Sequence, residues 1–168
     1  MFRLGIKHAS VIGMAFGRAE HRLHFWLRMS SYRRGWAYYL CRYLYGRLST
    51  KFNVQIPPRT RIGYGLKLGH NSAVIVSHTA IIGNNCNLSQ FTTIGSNHGH
   101  AAVIGNDVYM GPSVCLVENV NIGSGSAVGA GSVVVKDVAP GTTVAGVPAR
   151  AISAHGHPEY IRPGWPVE

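Results

Sequence analysis

Histidine is the residue type in this sequence whose chemistry is most useful near neutral pH. Two of the nine histidines, His70 and His78, lie close together in mid-chain, and His98 and His100 follow in the short segment Ser96–Val103. A neutral imidazole can take a proton from a hydroxyl near neutral pH, which is the role of a general base. A His-x-His pair with a third histidine can alternatively bind zinc. The positions therefore allow two kinds of site, one for proton transfer and one for a metal.

These histidines lie where a sequence repeat is interrupted. The repeat slips by two residues after Val74, and Ser96–Val103 interrupts it between Ile94 and Ile104. Loops on a rigid scaffold are where binding groups concentrate, so we expect the chemistry at these two breaks. The residues that recur every six positions are aliphatic or Met: Ile62, Leu68, Val74, Ile82, Leu88, Ile94, Ile104, Met110, Leu116, Ile122, Val128 and Val134.

A period of six residues predicts a parallel β-helix, because neither a flat strand nor an α-helix produces it. Three short strands and three corners make a triangular coil of about eighteen residues. Coils stack at about 4.8 Å per layer, so each inward aliphatic side chain rests on its counterpart in the next coil. A β-sandwich would instead show alternation every two residues. The predicted fold class is therefore mainly β.

Three runs of the chain resemble the left-handed β-helix acyltransferases. They are Ile62–His70, Val108–Gly111, and Val128 through the ending Ala-Gly-Val-Pro-Ala-Arg150. The chain is most similar to the serine acetyltransferases and to their relatives that acetylate sugars of capsule or exopolysaccharide. The resemblance implies a left-handed parallel β-helix over residues 52–152 that transfers acetyl from acetyl-coenzyme A to a hydroxyl. We also expect a homotrimer with the cosubstrate in a groove between two subunits, because a β-helix exposes flat coil faces and homo-oligomers usually have closed symmetry.

The resemblance makes His70 the general base of acetyl transfer. Serine acetyltransferases support this histidine with an acidic residue fifteen positions earlier, where this chain has Gln55. Gln can orient an imidazole but cannot offset the positive charge that develops on it. In the loop, His100 is the first choice and His98 the second for contacting the acceptor or supporting the base.

The acceptor expected from these departures is a sugar hydroxyl. Gly69 and His78 stand where serine acetyltransferases carry further acids, and an amino acid needs a negative partner for its ammonium. A lipid-linked or polysaccharide glycan needs only hydrogen bonds, which the side chains near the breaks can supply: Asn71, His78, Gln90 and Asn97. Serine O-acetylation in cysteine biosynthesis is the alternative acceptor chemistry.

Two other functions remain open from the residues alone. One is a metal-dependent hydratase similar to the γ-class carbonic anhydrases, and the other is a β-helix scaffold without catalysis. The ending Ala-Gly-Val-Pro-Ala-Arg150 resembles that of coenzyme A enzymes and therefore favours acyl transfer. No metal is expected.

Small residues and two cations make up the predicted coenzyme A site. The pantetheine arm is thin and can lie along stacked coils where side chains are small, and cations can meet the nucleotide phosphates. The predicted residues are Gly111, Ala130, Gly131, Ser132, Lys136 and Arg150.

Residues 1–51 form a basic, aromatic-rich segment that differs in composition from the rest. The whole chain has a formal net charge of +10. This segment holds most of the chain's Lys and Arg residues and only one acidic residue, Glu20. Two amphipathic helices are predicted over 18–30 and 32–49, broken at Ser30-Ser31. The segment can pack on the β-helix or another subunit, and it can also contact an anionic membrane surface. Nucleic acid is not expected, because no nucleic-acid-binding pattern is present.

The remaining expectations concern the chain's end and its setting. Residues 153–168 contain three prolines, so an extended tail is predicted there. The three cysteines show no paired spacing, which fits a reducing, cytoplasmic setting. A cytoplasmic protein can also make peripheral contact with the inner face of the membrane.

Overall fold

The computed structural model describes residues 11–32 and 35–161, and within them three helices precede a parallel β-helix. The helices are α1 (Val11–Phe16), α2 (Ala19–Tyr32) and α3 (Trp36–Phe52). Twelve two-residue strands follow: β1 Arg61–Ile62, β2 Lys67–Leu68, β3 Ile75–Val76, β4 Ile81–Ile82, β5 Asn87–Leu88, β6 Thr93–Ile94, β7 Val103–Ile104, β8 Tyr109–Met110, β9 Cys115–Leu116, β10 Asn121–Ile122, β11 Ala127–Val128 and β12 Val133–Val134. Two longer strands, β13 (Thr143–Gly146) and β14 (Ala149–Ser153), complete the fold. The predicted fold class is confirmed.

Successive strands rotate through three parallel faces, so the chain makes about four turns. Face 1 contains β1, β4, β7 and β10, face 2 contains β2, β5, β8, β11 and β13, and face 3 contains β3, β6, β9 and β12. Strand β14 returns antiparallel along β13 at the end of face 2. Three corners separate the faces, and the side chains at a given corner form a column along the axis.

The register shows where extra residues leave the coil. Ile104 pairs with Ile122, eighteen positions on, whereas Ile82 pairs with Ile104, twenty-two positions on, because the loop before Val103 adds four residues. The other interruption was misplaced by the sequence pattern. Val76, not Val74, is the inward residue that pairs with Ile94, so the two-residue slip falls between Leu68 and Val76, at the corner that carries His70.

The aliphatic side chains form one continuous core along the axis, as the six-residue period predicts. Leu88, Ile94, Met110, Leu116 and Val128 are fully buried in it. Such burial typically stabilises a fold by about 1.5–3 kcal/mol per large side chain. Because each coil packs mainly on its neighbours, this core positions the corners at a regular spacing.

Helices α2 and α3 close the N-terminal end of the β-helix. Leu23, Leu27 and Tyr45 join the same core as Val54 and Ile56. The Tyr45 hydroxyl donates to the Ile56 carbonyl oxygen at 2.6 Å, and burial raises the pKa of Tyr45 to about 12.

The predicted helix break at Ser30-Ser31 is wrong, because α2 continues to Tyr32. The Ser30 hydroxyl donates back to the Leu27 carbonyl oxygen at 2.8 Å inside the helix, so this serine does not cap a helix end. The Ser31 hydroxyl can donate to the carbonyl oxygen of Leu27 or to that of Pro58, and the second contact ties α2 to the start of the first coil.

Helix α3 exposes an aromatic face. Trp36 and Tyr39 are 81% and 73% exposed, and Leu40 and Tyr43 continue the same face one and two turns on. Within the described residues, no helix is long and apolar enough to cross a membrane.

The end of the chain departs from an extended tail. Strand β14 continues the ladder to Ser153, and Pro158–Tyr160 forms a short 3₁₀ turn. Residues 1–10, 33–34 and 162–168 of the predicted terminal segments lie outside the described residues.

Candidate active site

His70 stands at the corner between faces 2 and 3, where the chain carries two extra residues. The 3₁₀ turn Gly69–Asn71 follows β2 directly, and His70 has φ 55° and ψ 7°. This conformation belongs to the left-handed region, which non-glycine residues seldom occupy. The side chain of His70 is exposed as a result.

The same corner in every coil shows why His70 is unusual. One residue per coil turns it with positive φ, three positions before the inward aliphatic of face 3; these residues are Ala73, Phe91, Ser113 and Gly131. The first coil has this residue, Ala73, and His70 in addition. The two-residue insertion therefore creates a second left-handed position, and a histidine occupies it.

A shallow depression surrounds His70. Its volume is about 420 Å³, which suits a small molecule. Of the residues predicted for the site, His70 and Gln90 line it. The side chain of Asn71 lies outside the described part of the chain. The other lining residues are Lys67, Gly69, Asn87, Ser89, Tyr109, Pro112, Glu159 and Tyr160.

The C-terminal segment forms part of this depression, which the sequence pattern did not predict. The Asn87 amide donates to the Tyr160 carbonyl oxygen at 3.0 Å, and the rings of Tyr109 and Tyr160 lie 4.6 Å apart. One turn earlier, His157 Nδ1 lies 2.6 Å from a carboxylate oxygen of Glu159. These contacts hold the turn Pro158–Tyr160 against the outer surface of face 2.

Gln55 does not support His70 in this structure. It bridges to Ile75 at the start of face 3, and its amide lies 3.5 Å from the side-chain oxygen of Asn53. Across the residues whose side chains are described, the His70 ring has no hydrogen-bond partner. The orienting group expected beside the base is therefore not Gln55 in the isolated chain.

The loop histidines lie at the opposite edge of face 3 from His70. The loop leaves after β6 and returns at β7, so it forms the corner between faces 3 and 1. The Asn97 backbone N–H donates to Glu118 at 2.8 Å, and His98 Nδ1 lies 3.5 Å from the same oxygen. The donated N–H holds the pKa of Glu118 below its usual value. His78 is also at this corner, and His100 is exposed.

These histidines are not gathered into a cluster within the described part of one chain. Among the described residues, no three His, Cys, Asp or Glu side chains are close enough together to hold a metal ion.

Most of the small residues predicted for coenzyme A lie in the corner column that begins at His70. The Ser113 N–H donates to the Gln90 carbonyl oxygen, and the Gly131 N–H donates to that of Pro112, which links the coils of this column. A Cβ on Gly111 would lie 2.7 Å from the backbone nitrogen of Ala130, so glycine permits this close stacking. Three layers at about 4.8 Å separate His70 from Ala130 by about 14 Å.

The other predicted coenzyme A residues lie beyond this column, toward the C-terminal end of the β-helix. Ser132 is buried, and its hydroxyl accepts the Gly146 N–H at 3.1 Å, which braces the final corner. Lys136 and Arg150 line a second depression at the C-terminal end of the β-helix. Asp137 shares that depression but accepts hydrogen bonds from Asn121, at 2.8 Å from its backbone and 3.1 Å from its side chain.

Sequence comparison finds serine acetyltransferases, and no family model matches the chain. The serine acetyltransferase of Escherichia coli K12 is 36% identical over 125 residues, which are 72% of this chain and 45% of the relative. The mitochondrial serine acetyltransferase 3 of Arabidopsis thaliana is 36% identical over 117 residues, 67% of this chain and 30% of the relative. The chain spans less than half the length of these curated relatives.

Comparison of the fold finds the same group. The soybean serine acetyltransferase apoenzyme matches with a TM-score of 0.72 and 32% identity, over 86% of this chain and 62% of that one. The Brucella abortus serine acetyltransferase in complex with coenzyme A matches with a TM-score of 0.74 and 30% identity, over 89% and 62%. The chain is thus similar to serine acetyltransferases in sequence and fold. The expected specificity for a polysaccharide finds no support in these comparisons, which favour the serine alternative.

Proposed function

We propose that this chain transfers the acetyl group of acetyl-coenzyme A to the hydroxyl of a small acceptor, with L-serine as the best-supported acceptor. One observation carries the proposal. An exposed histidine lies in a small depression at the foot of a column of small residues, which can receive a thin thioester-bearing arm. Similarity to serine acetyltransferases supports both the reaction and the acceptor.

His70 performs the proton transfer in this proposal. Its neutral imidazole takes the acceptor's hydroxyl proton as the oxygen bonds to the thioester carbon. The carbon–sulfur bond breaks, and the proton held by His70 passes to the departing sulfur. Acetyl-coenzyme A supplies the activated acetyl group. Gln55 stands where an acid is expected, so no carboxylate at that position offsets the positive charge that develops on His70.

The corner column is the proposed coenzyme A site. Gly131 has open space where a Cβ would project, and Ala130 is exposed, so an arm can approach the backbone there. Lys136 and Arg150 lie beyond the column at the end of the β-helix and provide two cations for phosphates. The Brucella abortus enzyme, which was solved with coenzyme A, supports this assignment by its similarity.

We further propose that the working form is a homotrimer with sites between subunits. Face 3 separates His70 from the loop that carries His98 and His100, so one chain cannot bring them together. Face 3 also exposes aliphatic side chains that a neighbour can cover: Ile75, Val117 and Val135. A neighbour seated on this face can place its loop beside His70, and closed symmetry is usual in homo-oligomers.

The exposed face of α3 is the proposed site of peripheral membrane contact. Trp and Tyr favour the membrane–water interface, and Arg favours anionic headgroups. The aromatic face meets a depression lined by Tyr38, Tyr39, Arg59 and Arg61, and none of the described residues that line it is acidic. Anionic lipid therefore matches both the aromatic and the cationic parts of this surface.

Thiol release from acetyl-coenzyme A tests the proposed reaction. We expect L-serine to release coenzyme A well above the acceptor-free rate, and purified glycan from the source organism to release less. A higher kcat/KM with the glycan would return the acceptor to a sugar. Absence of acceptor-dependent thiol release with both would refute acetyl transfer.

A further inference from the structure

We propose that Glu118 is a positioning residue of the reaction, which orients the loop histidine His98 toward the acceptor bound beside His70 of a neighbouring subunit. This inference rests on the proposed function, because it assigns a residue to the site that two chains would share. Glu118 lies at the corner between faces 3 and 1, in the coil that follows the loop Ser96–Val103. Neither the six-residue period nor the resemblance marks this residue.

The backbone at Glu118 is unusual for this corner. Its register, two positions after the inward residue of face 3, is occupied in other coils by His78 and Lys136. Glu118 has φ 56°, in the left-handed region, whereas neither of these two residues has a positive φ. The Val120 N–H donates to the Glu118 carbonyl oxygen at 2.9 Å, which closes a tight three-residue turn. Other coils turn this corner without a left-handed residue, so the strain at Glu118 points to a role for its side chain.

The Glu118 carboxylate holds the start of the loop. Its Oε1 accepts the Asn97 backbone N–H at 2.8 Å, and His98 Nδ1 lies 3.5 Å from the same oxygen. The Asn97 bond and the nearby His98 hold the pKa of Glu118 below its usual value, so the carboxylate is ionised at neutral pH. The end of the loop is fixed separately, because the Ala101 N–H donates to the Thr79 hydroxyl at 3.1 Å. The loop histidines are therefore carried between two anchored points.

An ionised carboxylate beside Nδ1 selects the tautomer of a neutral imidazole. Nδ1 then carries the hydrogen and directs it at Glu118, which leaves the Nε2 lone pair on the outer side of the ring. The His98 side chain is 85% exposed, so Nε2 can accept a hydrogen bond from an N–H or O–H of a bound acceptor. Gln55 and Gly69 supply no carboxylate at the site of His70. Glu118 provides one from the neighbour's loop, and it acts through His98.

A double-mutant cycle in thiol-release assays tests whether Glu118 acts through His98. E118Q keeps an oxygen for the Asn97 N–H but removes the charge. We expect it to raise the KM for L-serine by about ten-fold, with kcat and the KM for acetyl-coenzyme A little changed, because a hydrogen bond to a charged group is stronger than a neutral one. In a chain that already carries H98N, E118Q should change this KM by less than about two-fold.

E118N is a second variant that guards against misfolding. Asn suits the left-handed backbone better than Glu does, and its shorter side chain cannot reach the loop in the same way. This variant should be at least as stable as the parent in thermal melts and should still show the raised KM for L-serine. A parent-like KM in E118N would contradict the inference.

Nitrogen-15 NMR of the His98 ring tests the tautomer without turnover. The ring signals are assigned by their loss in H98N and recorded at about pH 8, where an imidazole is neutral. The hydrogen should reside on Nδ1 in the parent. In E118Q it should move largely to Nε2, because the carboxylate that held it on Nδ1 is gone.

D107N is the charge-matched control. Asp107 is also a corner residue with φ 56° and a carboxylate, but it lies between faces 1 and 2, away from the loop. This variant should match the parent in KM and in the His98 tautomer. Normal turnover of L-serine by E118Q, an equal effect of E118Q with and without H98N, or an unchanged tautomer would overturn the inference alone. Absence of L-serine-dependent thiol release by the parent would overturn the proposed reaction, and the inference with it.

Discussion

The imidazole of His70 is displayed by a backbone conformation that costs most residues about 1–2 kcal/mol. The neighbouring coils turn the same corner without a second such residue, so the fold alone does not require it. Strained non-glycine residues persist where the surrounding structure holds them, often at functional sites. The conformation also limits which substitutions at His70 are informative, because alanine is disfavoured in the left-handed region.

His70→Asn is the informative variant, because Asn tolerates positive φ and cannot act as a base. We expect acetyl transfer to fall by about 10²–10⁴-fold, the usual effect of losing a general base. The melting temperature and coenzyme A binding should remain close to those of the parent. Thiol release, thermal melts and calorimetry measure the three quantities.

His155→Asn serves as its control. His155 is also an exposed histidine, but it lies beside Thr143 at the other edge of face 2, outside the depression that contains His70. If both variants lose activity equally, the loss is not specific to the corner of His70. If His70→Asn retains activity within a few-fold of the parent, His70 is not the base.

At the residue scale, the sequence locates His70 but not the side chains that line the depression around it. A break in a six-residue repeat is a local signal, so the corner is visible in the sequence. Lys67 and Glu159 are distant in sequence, and both line this depression because the turn Pro158–Tyr160 folds back on face 2 through Asn87 and Tyr109. No period or motif encodes such a contact.

Among the helices, α2 contains a histidine that makes the fold sensitive to acid. Burial, together with the nearby positive charge of Arg28 and the proximity of His21, lowers the pKa of His24 from 6.5 to about 4. The unfolded chain binds a proton at this position near pH 6.5, whereas the folded chain binds it only near pH 4. The contribution of His24 to stability is therefore complete above pH 6.5 and declines as the pH falls toward 4.

His24→Gln should remove this dependence. The neutral amide does not titrate, so the variant should lose less stability than the parent between pH 6.5 and pH 4, by at most about 3 kcal/mol. Chemical denaturation followed by circular dichroism at several pH values measures the difference. Parallel pH profiles for the two proteins would show that His24 is not the acid-sensitive group.

The exposed face of α3 gives a prediction about lipid vesicles. The parent should sediment with vesicles containing anionic phosphatidylglycerol and much less with pure phosphatidylcholine, and added salt should weaken the binding. Substituting Trp36, Tyr39 and Tyr43 together with Ser should abolish sedimentation, because the interfacial aromatic rings are lost. The control Phe91→Ser removes an exposed aromatic ring of the β-helix and should bind as the parent does.

Two results would contradict lipid contact through α3. One is equal binding to charged and uncharged vesicles, and the other is unchanged binding by the triple variant. If the triple variant instead loses self-association in analytical ultracentrifugation, the face is a contact between copies of the chain.

Helices and strands were predictable to different degrees. The periods of the two helices and of the coils reflect which side chains face the core, so the existence of each element follows from the pattern. Helix ends depend on competition for individual carbonyl groups, and Ser30 bonds inside α2 instead of ending it. The coil slip was misplaced because Val74 is also buried, although Val76 holds the register.

For the whole molecule, the proposed sites between subunits predict complementation between two inactive variants. One variant carries His70→Asn, and the other carries His98→Asn and His100→Asn. Each alone should have little activity. When the two are unfolded together and refolded at equal ratio, about a quarter of the interfaces in a closed trimer combine an intact base with an intact loop. Recovered activity should therefore approach about a quarter of the parent's.

Refolding each variant separately and mixing only at the assay is the control, and it should recover nothing without subunit exchange. Full activity of the parent as a monomer, measured by light scattering at assay concentration, would contradict the shared site. So would an unaltered rate for the loop variant alone.

The architecture at this scale was predictable because it is nearly one-dimensional. Each coil contacts mainly its neighbours, so a local repeat determines the whole stack. The assembly has no equivalent signal in the sequence. The six-residue period predicts that outward positions face solvent. On face 3 these positions include Ile75, Val117 and Val135, and only the folded structure shows that together they form an apolar surface.

The inserted corner shows that a reactive group can enter a repetitive scaffold through a change in length. Two additional residues after Leu68 bulge one corner outward, and the strands on either side keep their pairing with the next coil. Every coil has an equivalent corner, displaced by about 4.8 Å along the axis. The same insertion after Leu88 would present its side chain one step nearer to Gly131. Ancestral duplication of coils followed by a small insertion could therefore move a base along a pre-existing groove in discrete steps, without redesign of the core.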